Sequence, residues 1–184
     1  SSLITDAAGT TNINGGLIRT TGAQTFNDPV TVGTAATVFE STSTGSITFA
    51  QTLNGAQAVT VNTAGSTIFN GNVGNSAQLS SLITDAAGTT NINGGLIRTT
   101  GAQTFNDPVT VATAPVAQAT IGSTQFVSTN NGAITFNNTL GGNNDVAVNT
   151  AGVTYFQAAV GGGQTALASL TTDSAGSTIV NGGL

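Results

Sequence analysis

The 184-residue chain has no cysteine, histidine, methionine or tryptophan, and its two basic residues are Arg19 and Arg98, so it has no lysine either. Each absence removes a chemistry. Without cysteine there is no thiolate or disulfide, and without cysteine and histidine the usual zinc ligands are missing. Without histidine the commonest general base is gone. Two arginines within a net charge of -5 cannot build a phosphate-binding surface, so no nucleic-acid partner is expected. Charged residues are 5% of the chain, against about 25% in an ordinary soluble domain. Threonine, serine, asparagine and glutamine must therefore do the solvating.

No apolar run approaches the roughly 18 residues of a membrane helix. With Tyr155 as the single tyrosine, the aromatic girdles of a membrane barrel are missing too. The chain is thus not expected to be membrane-embedded, and no export signal is visible in it. Hydrophobic residues still make up 38%, too many for ordinary disorder. What is abundant is Gly, Thr, Asn, Val and Ile, which favour turns and strands over helix interiors.

The chain repeats itself. Residues 1–32 recur without change at 80–111, a shift of 79, and residues 169–184 resemble 81–96, a shift of 88. These shifts divide the chain into a first long unit (1–79), a second (80–167) and the start of a third (168–184). Within the units a shorter motif occurs nine times: Gly, three residues, a large apolar residue, three residues, Leu or Val. Its glycines are Gly9, Gly22, Gly45, Gly65, Gly88, Gly101, Gly132, Gly152 and Gly176. Its apolar residues are Ile13, Phe26, Phe49, Phe69, Ile92, Phe105, Phe136, Phe156 and Val180. Glycine spacings run 13, 23, 20 and 23 in the first unit and 13, 31, 20 and 24 in the second. The extra length of the second unit therefore reads as an insertion near 113–125.

Alternating stretches such as Val59-Thr60-Val61 precede the glycines and read as strands with one buried face. A corner follows where glycine takes positive φ freely, then a second short strand, another turn and a third. Strands and corners repeating about every 20 residues predict an all-β parallel β-solenoid, each coil adding about 4.8 Å. The nine glycines become structural corners and the nine apolar residues an internal ladder. The 13-residue step allows Gly9 and Gly22 to be two corners of one coil. Tandem β-sandwich repeats are the alternative, but a sandwich gives no reason for one Gly-x-x-x-Phe frame on successive strand pairs.

The segments TDAAGTTNINGG, TTGAQTFNDPVTV, GSITFAQTLNG and VNTAGSTIFNGNVG resemble the repeat tracts of large secreted bacterial proteins, the filamentous-haemagglutinin-like and autotransporter-type repetitive adhesins. The resemblance covers the whole chain in repeat style and rests on no catalytic motif. It implies export to the cell surface or medium, a right-handed β-helical stalk, and work in adhesion or matrix building.

Several residues invite a site, and each has a plainer reading. Asp6, Asp85 and Asp173 share one motif position and could form a carboxylate row for calcium or sugar protonation. With units of three or four coils they stand about 14–19 Å apart along the axis, beyond the roughly 5–9.5 Å that glycoside hydrolysis needs; capping of their own turns is the reading adopted. Arg19 and Arg98 lie nine residues before Asp28 and Asp107, which suggests structural ion pairs or independent surface charges rather than a polysaccharide-cleaving cleft. The Asn-Gly-Gly segments at 14–16, 93–95 and 181–183 and Gly161-Gly162-Gly163 read as corners, since neither a lysine nor a helix follows them. Asn137-Asn138-Thr139 is a formal glycosylation sequon in an Asn- and Thr-rich chain. A threonine array for ice is not supported, because VTV, TVF and TST do not share a motif position.

The expectation is thus a structural, non-catalytic solenoid without catalytic residues, cofactor or metal, at the cell surface or outside the cell. Its expected partners are copies of itself, stacked axially or laterally, and cell-surface glycans or matrix. Ser1 aligns with Ser80 and Leu184 with Leu96, so the sequence starts and stops inside a repeat. That fits either a window of a longer array or a subunit that stacks end to end into a filament. A β-helical polysaccharide-acting enzyme is the weaker alternative.

Overall fold

A computed structural model describes residues 1–112, 123–162 and 165–183. Among the described residues every regular element is a strand, 22 of them numbered in chain order, and every pairing is parallel. The chain is a β-solenoid of about 7 turns, with successive turns about 23 residues apart, somewhat longer than the spacing of about 20 predicted from the motif. Among the described residues there is no helix, so none is long and apolar enough to cross a membrane.

Each turn contributes one short strand, or at Val73 and Val160 a single bridge, to each of three faces. The first face stacks β1 (Leu3–Ile4), β4 (Gln24–Phe26), β7 (Ile47–Phe49), β10 (Ser66–Phe69), β12 (Thr89–Ile92), β15 (Val109–Val111) and β18 (Leu140–Gly142), then the bridge at Val160. The second stacks β2 (Thr11–Ile13), β5 (Val30–Val32) and β8 (Leu53–Gly55), the bridge at Val73, then β13 (Leu96–Thr99), β16 (Ser123–Ser128), β19 (Asp145–Asn149) and β21 (Ser169–Thr172). The third stacks β3 (Leu17–Thr20), β6 (Thr37–Ser41), β9 (Ala58–Asn62), β11 (Ser81–Thr84), β14 (Gln103–Phe105), β17 (Ile134–Phe136), β20 (Val153–Phe156) and β22 (Ser177–Val180). The chain visits the faces in that order. Triplets such as QTF, ITF and VTV alternate buried, half-buried, buried, as a strand with one face on a core must.

The nine motif glycines all lie at corners, but not in one column. Gly22, Gly45, Gly65 and Gly88 turn the chain from the third face to the first, Gly101, Gly132, Gly152 and Gly176 from the second to the third, and Gly9 from the first to the second. A step of 20 to 24 residues, or 31 across the insertion, is therefore one full turn, and the 13-residue step is only two faces. Stacked corners explain the glycine: a Cβ on Gly45 would sit 2.3 Å from the carbonyl carbon of Gly22, and one on Gly132 2.2 Å from that of Gly101.

The apolar ladder divides in the same way. Phe26, Phe49, Phe69 and Ile92 stack on the first face, Phe105, Phe136, Phe156 and Val180 on the third, and Ile13 on the second beneath Val32. The expectation of one continuous ladder is corrected accordingly. Val180 is also 51% exposed: it lies in the last described strand, with a neighbour on one side only. The other eight are buried, and filling the interior with them stabilises by about 1.5–3 kcal/mol per large side chain. Phe26, Phe49 and Phe69 stack face to face at 5.3 and 5.4 Å while Phe39 meets Phe26 and Phe49 edge-on. Phe105, Phe136, Phe156 and Phe126 repeat that arrangement at 5.2 and 5.4 Å with the same edge-on contacts. Such pairs add about 0.5–1.5 kcal/mol beyond burial.

Identical sequence therefore lies on different faces. Residues 1–32 supply β1 to β5, on the first, second, third, first and second faces; the same residues at 80–111 supply β11 to β15, starting on the third face. From β1 to β11 the chain advances eleven strand positions, ten strands and the bridge at Val73. From β11 to β21 it again advances eleven, ten strands and the bridge at Val160. Each long unit is three turns and two faces, whether the shift is 79 or 88 residues. The insertion predicted near 113–125 lies at 113–122 outside the described residues, whereas Ser123, Thr124 and Gln125 belong to β16 and pair with Asp145, Val146 and Ala147.

Candidate functional site

The groups with any chemical capacity are the carboxylates, the arginines and a few buried amides. In each Phe-Asn-Asp-Pro turn the aspartate folds inward: Asp28 is 3% exposed and Asp107 1%. Its partners are two threonines from the preceding turn. Thr5 donates to Asp28 Oδ1 at 2.6 Å, and Thr11 donates to Oδ1 and Oδ2 at 2.9 Å. In the second copy Thr84 donates to Asp107 Oδ1 at 2.7 Å, and Thr90 to Oδ1 and Oδ2 at 2.9 and 2.8 Å. Among the described residues two hydroxyls and no cation meet each carboxylate, so neither expectation, an ion pair with the arginine nine residues before or an independent surface charge, holds for Asp28 and Asp107. Arg19 instead donates from Nε to Glu40 Oε2 at 2.9 Å, with Nη2 2.8 Å from the same oxygen, because β3 and β6 place the two residues in register. The same register sets Val127 beside Arg98.

The two carboxyl groups titrate in opposite directions despite identical local sequence. The Thr5 hydroxyl holds the Asp28 carboxyl below its ordinary value, against some burial. Burial pushes Asp107 up, opposed by the Thr84 and Thr90 hydroxyls and reinforced by the charge of Asp85. Asp85 is itself raised, again by burial first. Such a carboxyl resembles a tuned general acid, but what surrounds Asp107 is two threonines and a neighbouring aspartate. That arrangement clamps a corner.

The aligned aspartates do not form a row. Asp6, Asp85 and Asp173 follow β1, β11 and β21 and so stand at the ends of strands on the first, third and second faces. Among the described residues no three acidic side chains converge to hold a metal ion. The Asn-Gly-Gly segments at 14–16 and 93–95 likewise follow strands on the second and first faces, and Asn181-Gly182 follows one on the third. A Cβ on Gly94 would lie 2.1 Å from the Gly71 oxygen; these are corners in close stacking. Gly163 lies outside the described residues. Asn137, the acceptor of the sequon, donates from Nδ2 to Asn106 Oδ1 at 2.7 Å at a third-face corner, and Asn93 donates to Asn70 in the same way at 2.8 Å at a first-face corner. The outward row of the third face (Leu17, Val38, Thr60, Ile83, Thr104, Thr135, Tyr155, Ile179) mixes aliphatic and hydroxyl side chains, so no threonine array forms there.

Two glutamines were not singled out by the sequence reading. Gln24 and Gln103 are fully buried in the core. Gln103 Nε2 donates to the Ile97 carbonyl (3.3 Å), the Thr99 hydroxyl (3.2 Å) and, one turn on, the Val127 carbonyl (2.9 Å). Gln24 makes the same set to Ile18, Thr20 and Glu40 at 3.2, 3.2 and 2.8 Å. Each ties two turns together at a corner. The signal was present in the sequence as the QTF triplet, where Gln occupies the place of Ile47 in ITF. Comparison of the chain with family models, curated proteins and solved structures finds no match.

Proposed function

We propose that this chain is a structural, non-catalytic stalk or fibre segment of a large secreted bacterial surface adhesin or extracellular matrix protein. The observation that carries the reading is how the polar chemistry is used. The aspartates of the two copies close corners with threonine hydroxyls, and the buried glutamines tie one turn to the next. Long-range order along one axis is what such interactions supply, and the repeat style of the sequence resembles proteins that work as surface stalks. Uncharged Thr, Asn and Ser on the faces suit contact with glycans or with a neighbouring fibre.

The test is location and activity together. Antibodies raised against residues 1–184 should label intact producing cells or their matrix, and external protease should remove the label. The purified chain should leave a panel of uronate and neutral glycans unchanged. Labelling only after lysis overturns the extracellular assignment. Glycan cleavage that is lost in Asp28→Asn or Asp107→Asn overturns the structural one.

A further inference from the structure

We propose that the exchangeable building block of this solenoid is the unit of eleven strand positions and not the turn: a copy of that unit can be inserted without creating a single new contact between strands, and it carries its surface one face around the axis. Each strand stacks on the strand three positions before it. The identical block, 1–32 and 80–111, spans five strand positions, which is longer than that reach. A strand entering after the block therefore meets the same residues whichever copy precedes it, even though the face differs. The Phe clusters show this equivalence in the core, with Phe39 of the third face against the first-face stack and Phe126 of the second face against the third-face stack.

Whole turns lack this property. The Thr-Thr-Asp clusters bind residues exactly one turn apart in the same unit, so a copied turn separates them. Three units, or eleven turns of about 4.8 Å, return a given sequence to its starting face after about 53 Å. A residue carried once per unit, such as Arg19 and Arg98 on the third and second faces, then winds around the axis. A partner gripping such an array meets the same surface from three directions. This inference concerns how the array can grow and holds whatever the stalk does.

Two lengthened full chains test it. In the first, residues 1–111 are followed by 33–184, adding one unit of 79 residues (111 minus 32). In the second, residues 1–92 are followed by 27–184, adding 66 residues (92 minus 26), which is the three turns from Phe26 to Ile92. In that second chain the register places Phe69 and Val73 where the copied Asp28 needs Thr5 and Thr11. A buried carboxylate without donors is strongly destabilising. The unit insertion should melt at or above the parent chain, and the whole-turn insertion about 5–10 °C below the unit insertion. Changing the copied Asp28 to Leu should recover part of that gap. A unit insertion that unfolds or aggregates overturns the proposal, as does a whole-turn insertion that melts at the same temperature or higher.

Discussion

The two identical 32-residue copies fold to the same strands and corners and yet live in different surroundings. Ile4 is 70% exposed and its counterpart Ile83 39%. Arg19 stands beside Glu40, whereas Arg98 stands beside Val127. Asp28 is made more acidic and Asp107 less so. What is common to both copies comes from within a strand or from one turn to the next inside the block: the Thr-Thr-Asp clamp, the Gln clamp, the glycine corners. What differs comes from what is stacked outside the block: β11 lies on β9 whereas β1 pairs with β4 alone, and Glu40 follows Arg19 where Val127 follows Arg98. Local sequence thus determines conformation and the stack determines energetics, and the face on which a segment lies determines neither.

If the two long units are also equivalent in the core, the largest losses must match. Phe49→Ala removes a ring packed on Phe26, Phe39 and Phe69, and Phe136→Ala one packed on Phe105, Phe126 and Phe156. Each should cost about 3–5 kcal/mol in denaturant unfolding, with the pair agreeing to about 1 kcal/mol; a wide gap breaks the equivalence.

Corner glycines should show the opposite, identical sequence with unequal cost. Gly9 and Gly88 both have positive φ, +103° and +79°, but a Cβ at Gly9 meets nothing within 4 Å while one at Gly88 lies 1.9 Å from the Gly65 oxygen. Gly9→Ala should cost about 1 kcal/mol from strain alone, and Gly88→Ala about 1–3 kcal/mol more from the clash. Equal melting temperatures for the two variants would contradict the stacked corner.

The acid side of the stability curve separates the aspartates. The Asp28 carboxyl, lowered in the fold, contributes stability that is complete above its unfolded value of about 3.9 and is lost as pH falls through its folded value. The Asp107 carboxyl, raised in the fold, does the reverse: its contribution is complete below about 3.9 and is lost as pH rises through its folded value. Asp28→Asn should therefore flatten the acid loss and Asp107→Asn the acid gain in melting curves between pH 7 and 3. The same slope change from both variants would show that the stack does not distinguish them. The smallest effect is expected on the surface, where Arg19→Ala, breaking an ion pair whose side chains are 58% and 25% exposed, should cost under about 1 kcal/mol. Arg98→Ala, with Val127 in register, should cost less still; a larger cost for Arg98 would show that charge is used differently.

The all-β solenoid, the glycine corners and the burial of eight of the nine ladder residues were legible in the sequence, because each depends on residues close along the chain: a strand period of two, a corner that needs glycine, a large apolar residue four places on. Face assignment was not legible. The 13-residue step from Gly9 to Gly22 looks like a short coil until strand pairing shows that it crosses two faces. The partners of Asp28 and Arg19 were equally hidden, since Thr5 and Glu40 lie 23 and 21 residues away from them respectively, one turn distant. Gln24 was overlooked because a polar residue in a short strand reads as exposed, and only the inward register places it in the core.

The second copy lies one face away from the first, and the absence of native cysteine allows this placement to be tested directly. In the stack Ile68 and Asn91 are register neighbours on the first face, although Asn12, in the same sequence as Asn91, pairs with Thr31 on the second. With cysteines at Ile68 and Asn91, mild oxidation or a short thiol cross-linker should join the two within one folded monomer, and cysteines at Asn72 and Asn91 should not react with each other. Cross-linking of the second pair but not the first would place the repeated segment back on its original face and contradict the account.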